Sequence, residues 1–177
     1  MNKVAKEILS TVLYLLVIFV ITFLFITFIA QRTEVSGQSM EPTLHDSDSL
    51  LVDKISYRFD DPKRYDIVIF PYKYGDKQYF IKRVIGLPGE KIRIDYEGNI
   101  YLNGAILKEN YGAEVIADPG RAETEITLGE DEYFVMGDNR NHSMDSRDPS
   151  VGNINKKDIL GRAFIRIFPF SKFGGVE

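Results

Sequence analysis

Hydrophobic positions are distributed unevenly along the chain. From residue 8 to residue 31 there are 24 consecutive positions without a charged side chain, nineteen of them apolar or Tyr. A helix of about 20 apolar residues crosses a hydrocarbon core of roughly 30 Å. The hydroxyl-bearing exceptions, Ser10, Thr11, Thr22 and Thr27, can bond back to the helix's own carbonyls. The run therefore predicts one transmembrane helix anchor over 8–31, preceded by a short cytoplasmic N-terminus at 1–7. A cleavable secretory leader has an apolar region of only about 7–15 residues and small residues before its cut. Here the run is longer, and Phe28 stands where a small residue is wanted. Lys3 and Lys6 precede the run, which favours a cytoplasmic N-terminus and places the rest of the chain on the outer face.

After Arg32 the pattern changes to short runs rich in β-branched and aromatic residues. These are Leu50–Val52, Ile67–Phe70, Tyr79–Ile85, Ile92–Tyr96, Ile100–Leu102, Tyr133–Met136 and Ala163–Phe168. Turn signals such as Pro71, Gly75-Asp76, Pro88-Gly89 and Asn103-Gly104 separate them. The pattern predicts a mainly β, antiparallel-sheet domain over 32–177, tethered to one N-terminal helix. Residues 103–131 carry the weakest pattern and read as an excursion from the sheet. Phe168, Phe170 and Phe173, interleaved with Lys172, suit either closure of the β core or a lipid interface.

Composition then removes several chemistries. Lys and Arg total 22 against 26 Asp and Glu, a net charge of −4, which argues against a nucleic-acid partner. The absence of cysteine excludes disulfides, thiolate nucleophiles and Cys-based zinc sites, and two histidines, His45 and His142, argue against a His-rich metal site. No cofactor and no metal are expected. The overall 44% hydrophobic content blends two unlike parts, since the portion after residue 31 is only about 38% hydrophobic.

Three clusters carry candidate chemistry. In the first, Val35-Ser36-Gly37-Gln38-Ser39-Met40-Glu41-Pro42-Thr43-Leu44, Gly37 permits unusual backbone angles and Pro42 fixes the chain beyond the serine. The turn either presents Ser39 Oγ to a substrate carbonyl or is a plain loop. Ser39 is seven residues from Arg32, so it lies within about 25 Å of the membrane surface. In the second, Tyr79 to Glu90, strand alternation puts Lys82 on one face with Phe80 and Val84. A lysine among apolar neighbours loses hydration, which favours its neutral form; a solvated lysine covering the strand is the alternative. In the third, Gly137 to Arg147, Asp145 and Arg147 suit a bidentate pair that fixes the loop. A polar surface loop, or a cation site at Asp138, Asn139 and Asp145, is the competing possibility.

Taken together, Ser39-Met-x-Pro-Thr-Leu, then Lys82-Arg-Val-Ile-Gly-Leu-Pro-Gly, then Gly137-Asp-Asn-Arg-x-x-Ser-x-Asp-Ser-Arg resemble bacterial type I signal peptidase, and the chain is similar to its compact Gram-positive form. Asp66–Phe70 resembles that family's intervening strand, so the likeness runs from the anchor to about Arg166. It implies a membrane-bound serine endopeptidase that cleaves signal peptides from exported preproteins after a small-x-small site. It also implies residence in the plasma membrane as a single-pass protein, with signal peptides, the lipid bilayer and a nearby secretion translocon as partners. By position, the resemblance makes Ser39 the nucleophile, Lys82 the general base, Ser143 a residue orienting the lysine, and Asp145 with Arg147 a supporting ion pair. Val35, Met40, Leu44, Phe80 and Ile81 fall where the family binds small side chains at P1 and P3.

The chain departs from some relatives in three places. Gly37 replaces a serine whose hydroxyl assists the oxyanion, leaving Ser36, Gln38 or a water as second donor. Tyr65 stands where glycine is usual, and Glu90 where aspartate is usual. Two other readings compete: a Ser/His signal peptidase, which would need His45 or His142 in place of Lys82, and an inactive anchored homologue acting as a binding module.

Overall fold

A computed structural model describes residues 3–28, 30–76 and 78–176. Helix α1, Lys3–Phe28, has 26 residues, about 39 Å of rise. Its apolar side chains from Val4 to Phe23 are exposed on all faces, and it is long and apolar enough to cross a membrane. Hydropathy extends the expected helix to Gln31, but the backbone leaves it after Phe28. Ala30–Glu34 instead form a strand whose polar backbone groups are taken up by a ladder.

Twelve strands follow in chain order: β1 (Ala30–Glu34), β2 (Ser49–Asp53), β3 (Ile67–Pro71), β4 (Tyr79–Gly86), β5 (Lys91–Ile94), β6 (Ile100–Leu102), β7 (Ala105–Ile106), β8 (Ile126–Thr127), β9 (Glu132–Met136), β10 (Ile154–Asn155), β11 (Gly161–Phe168) and β12 (Gly174–Gly175). The larger sheet has the order β1-β2-β11-β3-β4-β9-β10, with β12 added to β11, and the smaller β7-β6-β5-β8. Every ladder is antiparallel. The fold is therefore mainly antiparallel β behind one apolar helix, as the hydrophobic pattern predicts.

Strand alternation sorts the interior into separate clusters. One face of the larger sheet buries Leu50, Val52, Ile67, Ile69 and Ala163 against Val35, Met40 and Leu44. The other buries Val68, Phe70, Val84, Tyr133 and Val135 against Val151, Ile154 and Ile159. A third cluster joins Ile92, Ile94, Ile100 and Leu102 of the small sheet to Ile85, Phe134 and Met136. Segment 103–131 supplies β7, then passes across the loop after β9, where Ala113 N–H donates to Asp138 O at 3.0 Å, and only afterwards supplies β8. Phe168, Phe170 and Phe173 remain at least half exposed, so they do not close the core.

Candidate active site

The site lies where two walls face each other. Strand β4 pairs with β3 from Tyr79 to Arg83, whereas β9 pairs with β4 only from Arg83 onward. Tyr79–Lys82 therefore present an unpaired backbone edge. Facing it is the loop after β1, held by Val35 N–H on Asp48 O (2.8 Å) and Leu44 N–H on Met40 O (2.9 Å). Gly37 sits at φ +93°, a left-handed conformation costly for other residues, and its N–H donates to Asp46 Oδ1 at 2.7 Å. Between the walls is a cavity of about 460 Å³ lined by Val35 to Met40 and Tyr79 to Lys82, with His142 and Met144 at its rim.

Ser39 and Lys82 meet there. Lys82 is 3% exposed. Its Nζ is 2.8 Å from Ser39 Oγ and 3.0 Å from the Ile81 carbonyl, with the Phe80 ring centroid 5.0 Å away. Burial lowers its pKa to about 8, against the opposing pull of the Asp145 and Asp138 charges. A substantial neutral fraction thus exists at mildly alkaline pH, within reach of a serine hydroxyl. The Ser39 N–H has no acceptor among the described residues, which leaves it available to a substrate oxygen.

A layer of paired charges holds both walls. Arg147 grips Asp145 through Nε and Nη2, each at 2.9 Å, and Asp145 Oδ2 accepts Gly137 N–H at 3.0 Å. Asn139 ties this loop to the serine loop: its N–H donates to Ser39 O and its Nδ2 to Gln38 O, both at 3.1 Å. Arg83, the neighbour of Lys82, is fully buried and bidentate to Asp138 at 2.9 and 2.7 Å. Thr43 Oγ1 also donates to Asp138, at 2.6 Å.

A family model described as signal peptidase, peptidase S26, matches residues 8–168. The chain belongs to this family. It is 42% identical over 153 residues to a probable signal peptidase I-2 of Synechocystis sp., covering 84% of this chain and 67% of the relative. It is 37% identical over 174 residues to signal peptidase I P of Bacillus subtilis subsp. natto, covering 94% and 92%. A crystal structure of a signal peptidase I from Enterococcus faecalis V583 matches with a TM-score of 0.49 and 31% identity, covering 58% of this chain and 97% of that one.

Within this S26 peptidase the other anticipated residues fall as follows. Val35, Met40, Phe80 and Ile81 line the cleft, while Leu44 lies behind it, wholly buried in the same cluster as Met40. Ser143 Oγ is buried beside Gly137 but has no hydrogen-bond partner among the described residues, so no bond from it to Lys82 is formed. The lysine's contacts go instead to Ser39 and Ile81. Asp138 and Asp145 are each spent on an arginine, and no cluster able to hold a metal occurs among the described residues. Ser36 and Gln38 both line the cleft beside Gly37.

Two of the three sequence departures, Tyr65 and Glu90, find local support. Tyr65 holds φ +75°, unfavourable for a side-chain-bearing residue. Its ring packs 4.9 Å from Tyr111, and its carbonyl accepts Arg83 Nη1 at 2.9 Å. Glu90 binds Arg64 at 2.6 and 3.0 Å and accepts Leu87 N–H at 2.7 Å. Sequence reasoning missed Arg83 and Arg140 and considered Asn139 only as a cation ligand, not as the tie between the two loops. Arg140 donates to the nearby Gly137 O at 3.0 Å and pairs with Glu109, 31 positions away, at 2.6 Å; no local pattern marks that pair or Arg83 with Asp138.

Proposed function

We propose that this peptidase cleaves signal peptides from exported preproteins with Ser39 as nucleophile and Lys82 as general base. The observation that carries this is the 2.8 Å approach of a buried lysine, its pKa depressed by desolvation, to a serine hydroxyl in an open cleft. Neutral Lys82 accepts the proton of Ser39 as Oγ attacks the scissile carbonyl. The tetrahedral oxyanion forms against the Ser39 N–H, with Ser36 or Gln38 from the same loop, or a water, supplying the second donor. The protonated lysine then returns its proton to the leaving amine. A water deprotonated by Lys82 hydrolyses the acyl-enzyme.

The substrate lies extended along the free Tyr79–Lys82 edge, as an added strand. Val35, Met40, Phe80 and Ile81 restrict the P1 and P3 pockets to small side chains. Ser143 acts when the cleft is filled, its buried hydroxyl being free to accept from the lysine. Asp145 and Arg147 keep the loop in place. Helix α1 anchors the chain in the plasma membrane as a single pass, with the N-terminus cytoplasmic and the domain on the outer face near the secretion translocon. The exposed Phe168, Phe170 and Phe173 offer a further contact to lipid.

Incubating a preprotein carrying an Ala-x-Ala site with wild type, Ser39→Ala and Lys82→Ala tests the assignment. Wild type is expected to release the mature protein and both variants to fail while still melting in a single cooperative transition as folded domains. Processing by either variant would sink the dyad.

A further inference from the structure

A second cavity adjoins the catalytic cleft. It has a volume of about 260 Å³ and shares Thr33 and Tyr79 with the cleft, one from each wall. Val52 and Ile69, both nearly buried, line it, with Leu160, with Gln31 near the start of β1, and with Lys54, whose Nζ donates to Gln31 Oε1 at 3.2 Å. None of the residues anticipated for P1 or P3 borders it.

The register of β1 fixes its relation to the scissile bond. Side chains two apart on a strand share a face, with a spacing of about 6.6 Å per pair. Val35, Thr33 and Gln31 are such a series: Val35 borders the catalytic cleft, Thr33 both cavities, and Gln31 the second alone. An extended peptide has the same spacing. If its P3 residue lies beside Val35, the trough continues under P5 at Thr33 and Tyr79 and under P7 at Gln31.

Direction follows from the covalent chain. Gln31 is three residues beyond Phe28, the last residue of α1, and three residues span at most about 11 Å. The second cavity is thus at the anchor end of the trough. The apolar segment of a signal peptide, which precedes the cleavage site, emerges from the same bilayer and reaches this end first.

We infer that the trough bounded by Gln31, Thr33, Tyr79 and Leu160 over Val52 and Ile69 is an upstream subsite that takes residues P5 to P7 of the signal peptide. This presupposes the peptidase function proposed above. The mixture of apolar Val52, Ile69 and Leu160 with polar Gln31, Thr33 and Lys54 suits the junction between an apolar segment and a more polar cleavage region.

The test compares two synthetic peptides with Ala at P1 and P3, one spanning P3 to P2′ and the other P7 to P2′ with Leu at P5 and P7, using the full chain in detergent. Wild type is expected to give a kcat/KM for the longer peptide higher by about tenfold, as burial of apolar side chains predicts. Leu160→Trp and Gln31→Trp each fill the trough with an indole and should each bring that ratio close to one, with melting curves establishing that they are folded. Equal kcat/KM for both peptides in wild type overturns the subsite alone, as does a wild-type ratio retained in both folded variants. Failure to cut either peptide overturns the peptidase function, and the subsite with it.

Discussion

Gly137→Ala probes how tightly the two loops of the site are fitted. A Cβ at position 137 would lie 2.3 Å from the Ser39 carbonyl oxygen and 2.3 Å from Ser143 Oγ. The Ser143 hydroxyl can rotate away, but Ser143 Cβ, 2.6 Å from the added carbon, cannot, and the Ser39 carbonyl is backbone that is also held by Asn139 N–H at 3.1 Å. Ordinary van der Waals contact begins near 3.4 Å, so the loops must separate by about 1 Å. Such a displacement of the nucleophile relative to Lys82 costs about 100-fold in rate, and the overpacking costs about 1–3 kcal/mol of stability. The comparison variant is Gly175→Ala, whose added Cβ would meet only the Phe164 oxygen at 3.8 Å. Steady-state cleavage of an Ala-x-Ala peptide and thermal melting measure both effects. A kcat for Gly137→Ala within twofold of wild type would refute the steric argument.

Three further expectations follow from the buried charges and the cleft. Asp138→Asn leaves Arg83 buried without its counter-charge and should cost about 3–5 kcal/mol, read as a lowered melting temperature that Arg83→Met with Asp138→Leu restores; an unshifted transition in Asp138→Asn would contradict the pairing. Lys82 has its pKa lowered to about 8 in the fold, from 10.5, so the unfolded chain binds the extra proton between these values and stability rises with pH across that window. Lys82→Met should accordingly be more stable than wild type at pH 7 by roughly 3 kcal/mol, the gap closing toward pH 10.5; a less stable variant at pH 7 would count against desolvation as the cause. His142 borders the cleft but neither histidine is bonded to Ser39, so His142→Ala and His45→Ala should keep most activity in the peptide assay.

The legible parts of this fold were those with a strong local signal. Ile67–Phe70 and Tyr79–Ile85 declare themselves through β-branched and aromatic runs, and the alternation Phe80, Lys82, Val84 already places the lysine among apolar side chains. β1 was hidden because Ala30 and Gln31 continue an uncharged run, and hydropathy cannot distinguish the last turn of a helix from the first residues of a strand. The small sheet was obscure because β7 and β8 are two residues long and carry no periodicity. At the site, Asp145 and Arg147 are two residues apart and readable as a pair. Arg83 with Asp138, and Arg140 with Glu109, join residues 55 and 31 positions apart, and only folding brings them together. Ser143 marks the opposite limit: its motif position is clear, yet its hydroxyl forms no bond among the described residues.

The pH dependence of kcat/KM for an Ala-x-Ala peptide tests the central claim most directly, because it reports the protonation state of the base in the free enzyme. With Lys82 as base, the rate constant rises tenfold per pH unit at acid pH and levels off through an apparent pKa of about 8, and His142→Ala has the same profile. An ascending limb near the histidine range that disappears in His142→Ala, or a profile flat from pH 6 to 10, would contradict it.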